Sequence, residues 1–163
     1  MHSFYNLNPN HNTAASEHSV SVSLDLNTPL SNDEFYKLFD EYCVSPNEKN
    51  QNILGTHLNK MSYLLGIISD NVNTNQITIK KGDDLKFLIC STDNREVFLP
   101  VFTTDEELNA WYPETISTLT VPAAWLWKFV LGQKNYEGIL INPAGIAWPI
   151  NLQHIQSLLN DMV

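Results

Sequence analysis

Asp105, Glu106 and Glu107 form the densest carboxylate cluster of the chain, and a carboxylate pair is the simplest acid–base device a sequence can offer. Such chemistry needs two carboxyls to converge on one substrate across a cleft. Consecutive helical residues diverge by roughly 100°, so these three fan outward and fit a first helical turn, complementing the positive end of the helix dipole. The histidines, His2, His11, His18, His57 and His154, show no HxxxH spacing, and no CxxC pair exists for zinc. His57 and His154 each fall beside the apolar stripe of a helix and read as packed boundary residues. A nucleophilic thiolate needs a base and an electropositive setting. Cys90 ends an apolar strand, which makes it an inert thiol, and Cys43 lies at a helix end. No Gly-x-Ser-x-Gly elbow and no GxxxxGK[ST] phosphate loop occurs. No catalytic residue, metal ligand or cofactor is expected.

The elements that carry these residues can be read from periodicity. Ser31 and Glu34 have capping-box spacing, and Phe35, Leu38, Phe39 and Tyr42 follow on one helical stripe. Ser45-Pro46-Asn47-Glu48 predicts a second helix with Ser45 as its cap and proline at the first helical position. Its stripe is Ile53, Leu54, His57, Leu58 and Met61. From Tyr63 the pattern shifts. Residues 63–68 form a nearly continuous apolar run suited to a strand buried on both faces. Residues 76–80 alternate, 81–84 read as a turn, and 86–90 and 96–102 predict two strands joined through the polar 91–95 loop. Pro100 lacks an N–H, so its strand must be at an edge there or bulged. Thr103 or Thr104 caps a third helix that Pro113 closes. Residues 116–121 form a strand, Pro122 opens a helix over 123–131, and 137–141 is a buried strand. Asn142-Pro143-Ala144-Gly145 is a turn leading to a short strand at 146–148 and a last helix capped by Asn151.

The predicted order is α-α-β-β-β-β-α-β-α-β-β-α. Strand–helix–strand units favour parallel, right-handed crossovers. Two are expected, 96–102 to 116–121 and 116–121 to 137–141, beside antiparallel hairpins at 91–95 and 142–145. The fold class is therefore α/β, with α+β character: a mixed parallel and antiparallel sheet covered by helices, two of them N-terminal.

Composition narrows the function classes. The chain has 163 residues, about one domain, and 43% are hydrophobic. Only two are cysteines, which points to free thiols and a reducing compartment. A net charge of −9 disfavours nucleic acid and anionic membranes, whose affinity comes from Lys and Arg neutralising phosphate. Lys80, Lys81 and Lys86 surround Asp83 and Asp84 and read as a solvated turn. No apolar run approaches the ~20 residues of a membrane span, and the N-terminus lacks the pattern of a signal peptide, so a cytoplasmic location is expected. Residues 1–29, rich in Asn, Ser, Thr and His, read as a flexible N-terminal tail. Within it, the alternation at Val20, Val22, Leu24 and Leu26 would suit an edge strand. Residues 30–163 make the domain.

Phe98-Leu-Pro-Val-Phe-Thr-Thr-Asp-Glu-Glu-Leu-Asn-Ala-Trp111 resembles the strand–turn–helix signature of the SseB N-terminal domain family. Gly138-Ile-Leu-Ile-Asn-Pro-Ala-Gly145, with the short strand and helix after it, resembles that family's second signature. The likeness spans roughly residues 31–163. It implies a bacterial mixed α/β domain without enzymatic activity, from a family named after an enhanced serine-sensitivity phenotype. The chain ends at Val163, so no C-terminal SseB domain is expected.

With no convergent reactive groups, the aromatic residues carry the functional expectation. Trp125, Trp127 and Phe129 lie on a helix that is apolar nearly all round. Trp125 and Trp127 cannot share a face; one of them reaching the surface would mark a partner site. The expectation is a non-enzymatic protein-interaction or regulatory domain binding a protein partner through Trp125, Trp127 and Phe129, a homodimer being one form. An acidic immunity or antitoxin-like protein binding a basic partner is the first alternative. A sensor of a small, serine-related metabolite, with a cleft formed by Trp111, Asn142 and Trp148, is the second.

Overall fold

The computed structural model describes residues 4–6, 32–68 and 86–163. In chain order they form β1 (Phe4–Asn6), α1 (Asp33–Val44), α2 (Glu48–Lys60), β2 (Ser62–Ile68), β3 (Lys86–Phe87), β4 (Cys90–Thr92), β5 (Val97–Val101), α3 (Asp105–Trp111), β6 (Ser117–Pro122), α4 (Ala123–Gly132), β7 (Gly138–Ile141), β8 (Trp148–Asn151) and α5 (Leu152–Asn160). This is an α+β fold with two sheets. The mixed sheet has the order β1-β4-β5-β7-β8, and the antiparallel sheet the order β3-β2-β6. The expected strands at 20–26 and 76–80, the turn at 81–84 and Ser31 lie outside the described residues. So does most of the expected flexible tail, but Phe4–Asn6 within it pair with the outer edge of β4 as an antiparallel strand. No helix among the described residues is long and apolar enough to cross a membrane.

Both antiparallel hairpins form where the turn residues predict them: β4 with β5, and β7 with β8. The expected succession of two strand–helix–strand units in one sheet does not form. β6 leaves the sheet of β5 and pairs antiparallel with β2, Leu65 opposite Leu119. Among the described strands only β5 and β7 run parallel, and the crossover between them contains α3, β6 and α4. The physical reason lies in β6 itself. Leu119 and Val121 are buried while Thr118 and Thr120 are half-exposed, the alternation of an antiparallel sheet covered on one face.

Pro100 is accommodated by this arrangement. The Val97 and Val101 carbonyls accept from Glu137 and Asn142 on the β7 side, so Phe98, Pro100 and Phe102 face the other way. Phe98 pairs with Cys90, and Phe102 exchanges hydrogen bonds of 2.8 and 3.0 Å with Leu64 of β2. Pro100 falls in the gap between them, where no N–H is needed. The Leu64–Phe102 exchange also joins the two sheets.

Capping holds at α3 and α5 and departs at α1 and α2; the N-cap of α1 is Asn32 in place of Ser31, and it makes no side-chain cap bond. Thr104 caps α3, accepting from the Glu107 N–H, and Asn151 caps α5, accepting from the His154 N–H. For α2 the cap is Asn47, not Ser45, and Pro46 precedes the helix. Asn47 lies two residues further in and accepts from the Asn50 N–H at 2.9 Å, while Ser45 Oγ accepts from the Asn47 side chain. The main core packs α1, α2, α4 and α5 around Tyr63, Leu99, Trp127, Ile139 and Ile141. Smaller clusters centre on Leu64 with Phe102 and on Cys90 with Leu140.

Candidate functional site

The two segments resembling family signatures meet at one polar joint. Val101 and Phe102 deliver Thr103 and Thr104 to the start of α3, and β7 ends at Ile141, delivering Asn142 beside them through the parallel β5–β7 pairing. Asn142 is fully buried and left-handed, with φ 49°. Asparagine tolerates this conformation better than other non-glycine residues. Its Oδ1 accepts from the Thr103 N–H at 3.0 Å, and its Nδ2 donates to Thr103 Oγ1 at 2.9 Å and to the Tyr36 hydroxyl at 3.1 Å. Asn32, at the start of α1, donates to the same Thr103 Oγ1 at 3.0 Å. The Tyr36 hydroxyl donates in turn to Glu107 Oε1. Glu107 therefore does not close a reciprocal capping box with Thr104; its carboxylate turns to α1.

The joint defines an exposed turn. Ala144 and Gly145 are exposed, and the Gly145 and Ala147 N–H groups both donate to the Asn142 carbonyl, at 2.9 and 3.0 Å. Ala147 is left-handed too, with φ 46°, a conformation that costs an L-residue roughly 1–2 kcal/mol. A Cβ on Gly145 would lie 2.8 Å from Glu107 Oε2, so glycine lets the turn lie against that carboxylate. Around the joint the first turns of α1 and α3 expose Asp33, Glu34, Asp105 and Glu106. The single ion pair found among the described residues is Lys37–Glu41, outside this group.

Electrostatics at the joint favour a neutral phenol. Burial raises the Tyr36 pKa to about 12, reinforced by the hydrogen bond to Glu107 and its negative charge, while Asn142 and Thr103 pull it back. Elsewhere burial pushes the Cys90 thiol up to about 12 and the Tyr63 phenol well above its ordinary range. Cys90 Sγ lies 3.6 Å from the Phe98 carbonyl, and a protonated, enclosed thiol is a poor nucleophile. Cys43 is exposed. Among the described residues no group of His, Cys, Asp and Glu is placed to hold a metal ion.

The expected partner patch changes. Trp127 is fully buried, its ring 5.5 Å from that of Tyr63 and its Nε1 donating to Asn59 Oδ1 at 2.8 Å. It faces the core and cannot touch a partner. Trp125 and Phe129 remain half-exposed, stacked at 4.9 Å with their planes 6° apart. The expected cleft of Trp111, Asn142 and Trp148 is not assembled either. Trp111 packs on Phe102 and Trp148 on Phe39, in different hydrophobic clusters, and Asn142 has no exposed surface. Trp148 instead lines a groove of about 210 Å³ between α2 and α5, with Tyr42 and His154 on its wall. His57 borders a groove of about 330 Å³ between α1 and α2.

Tyr36 and Glu107 are the residues that sequence reasoning missed in this role. Tyr36 lies off the apolar stripe of α1, and Glu107 reads as a helix-start acid. The available signal was an asparagine before proline at the end of a buried strand, a polar group that burial obliges to find partners.

The fold and this joint define a small α+β domain whose two signature segments are bonded to each other and to the first long helix. A model of the SseB protein N-terminal domain matches residues 44–156, and the chain belongs to that family. No curated protein and no solved structure shows significant similarity to the chain.

Proposed function

We propose that this domain is a non-enzymatic protein-interaction module, regulatory in role, that presents the NPAG turn and the adjoining starts of α1 and α3 to a protein partner. One observation carries the reading: a buried polar joint over-determines an exposed turn bracketed by two left-handed residues, Asn142 and Ala147. Backbone held in sparsely populated conformations clusters at functional sites, where the surrounding structure enforces it. The polar groups behind the turn are spent on one another, and no buried side-chain nitrogen or oxygen among the described residues lacks a partner. They support shape rather than bond-making. The test is affinity capture with wild type and the exposed variants Ala144→Arg and Asp105→Lys. The reading expects a partner lost from both variants while their melting temperatures stay unchanged. Capture that is identical in all three removes it.

The exposed carboxylates Asp33, Glu34, Asp105 and Glu106 favour a second reading within the same surface: an antitoxin-like or immunity-like protein whose partner is basic. Charge of one sign steers such encounters, so affinity would fall steeply with ionic strength. A salt-independent affinity argues for the first reading alone. The metabolite-sensor alternative loses the cleft on which it rested.

A further inference from the structure

The groove between α2 and α5 takes no part in the polar joint behind the NPAG turn. Its volume is about 210 Å³, below the ~300–1,000 Å³ of pockets that enclose a whole drug-sized ligand. It has room for one large side chain. Leu58, Ile150 and Leu158 give it a buried apolar lining, and the half-buried Trp148 and Tyr42 add two aromatic rings. Trp148 is braced by Phe39, with 4.9 Å between ring centroids. Among the described residues neither the Trp148 indole N–H nor the Tyr42 hydroxyl is hydrogen-bonded, whereas the buried Trp127 spends its N–H on Asn59. Aromatic rings with an apolar body and a free polar tip are what partner surfaces use.

The charge at this groove has one sign. Asp161 supplies a full negative charge, and among the described residues no Lys or Arg lines the groove. Ser157 and Leu158 bring in the last turn of α5, which carries no basic residue, so about half a negative charge of the helix dipole lies on the same side. The C-terminus of α1 and the N-terminus of α2 border the groove through Tyr42 and Gln51, and their dipole ends offset each other. His154 counts as neutral at pH 7.

An aromatic, apolar groove with a carboxylate at its rim suits a cation on an apolar stem. Arginine fits better than lysine. Its flat, weakly hydrated guanidinium stacks on aromatic faces and pairs with carboxylates, whereas the lysine ammonium is a strongly hydrated point charge. Free arginine fits poorly, because its α-carboxylate would meet Asp161 and the α5 terminus with no cation to offset it. We propose that the groove seats one arginine side chain of a partner polypeptide, stacked on Trp148 and paired with Asp161. The groove residues belong neither to the NPAG turn nor to the starts of α1 and α3, so this contact stands apart from the surface proposed above.

The test is a titration of the nitrogen-labelled full chain with acetyl-arginine amide, read by NMR from the indole N–H signals of its four tryptophans. A saturable shift of the Trp148 signal is expected, with the Trp127 signal unmoved. The citrulline analogue, in which a neutral urea replaces the guanidinium, and free arginine should each bind about threefold more weakly or worse. Asp161→Asn should weaken binding by about threefold and Trp148→Leu by about tenfold, with the remaining signals in place. Should Trp148→Leu lose the native spectrum, Asp161→Asn decides. Ala144→Arg and Asp105→Lys should leave the titration unchanged, so that this contact and the NPAG surface can fail separately. A Trp148 signal that does not shift overturns the proposal. So does equal binding of the citrulline analogue, and so does an Asp161→Asn variant that binds as wild type does.

Discussion

Asn59 and Asn142 each tie three elements together, and the two joints are built on different physics. Asn59, half-buried on α2, accepts from Trp127 Nε1 of α4 and donates to the Leu158 carbonyl of α5, both at 2.8 Å. Its partners are neutral, and the mass of the joint is the buried indole packed on Tyr63. Asn142 is fully buried on a left-handed turn residue and serves Thr103 and Tyr36, with the Glu107 carboxylate one bond further on. Most of the first joint's energy lies in apolar area, and the second joint's in polar groups that have nowhere else to go. The first is scaffold. The second shapes surface, because its far side is the exposed turn at Ala144 and Gly145.

The largest effect should come from the apolar joint. Trp127→Ala is expected to destabilise the domain by about 3–5 kcal/mol, the range for truncating a buried aromatic, read by urea unfolding. Trp125→Ala, at the half-exposed position, should cost much less. Similar costs for the two would mean that α4 is turned differently from the packing described above.

Asn142→Ala comes next, at about 2–4 kcal/mol. It strands the buried Thr103 N–H, worth ~1–3 kcal/mol, and puts a less tolerant residue at φ 49°. Asn59→Ala should cost only about 1 kcal/mol, because Asn59 is half-buried and water can take its place at the Trp127 indole N–H. Equal losses would erase the distinction between scaffold and surface-shaping joint. Asn142→Gly should recover the backbone part of the loss and none of the hydrogen-bond part.

Much of this architecture was legible from local pattern, because local pattern is set by local physics. The caps at Thr104 and Asn151 depend on contacts within one turn. The hairpins at 91–95 and 142–145 depend on turn chemistry. The α2 cap moved from Ser45 to Asn47 because both residue types accept from an N–H and only geometry chooses between them. The pairing of β6 with β2 could not be read, since Leu119 meets Leu65 across helices and strands that say nothing about each other. Nor could the orientation of α4: a helix apolar nearly all round gives no stripe to decide whether Trp125 or Trp127 goes inside. Asn142 was visible as a turn residue. Its tie to Tyr36 joins opposite ends of the domain, and no spacing rule reaches that far.

Gly145→Ala probes the polar joint more gently. The new methyl would meet Glu107 Oε2 at 2.8 Å, the movable end of a side chain, so the carboxylate shifts and loosens its bond with Tyr36. A loss of about 1 kcal/mol is expected, the scale of one hydrogen bond. In a double-mutant cycle with Tyr36→Phe the losses should not add, because both changes remove the same bond. Strict additivity would show that Gly145 acts independently of that carboxylate.

The smallest effect, and the most diagnostic, is the pH dependence that Tyr36→Phe removes. The phenol's ordinary pKa is 10.0 and the folded chain raises it to about 12, chiefly by burial and then through Glu107. A raised pKa means that the folded state holds its proton more tightly than the unfolded chain. The resulting stabilisation is complete below pH 10 and is lost as pH climbs from 10 to about 12. Wild type should therefore lose stability faster than Tyr36→Phe across that window, while Tyr63 and Tyr112 contribute equally to both slopes. Because Tyr36 is only half-buried, solvent screening trims the difference, and the direction is what the measurement reads. Parallel slopes from pH 9 to 12 would mean that the Tyr36 hydroxyl does not sit against the Glu107 carboxylate, and the charged link between α1 and the turn would be gone from the comparison with Asn59.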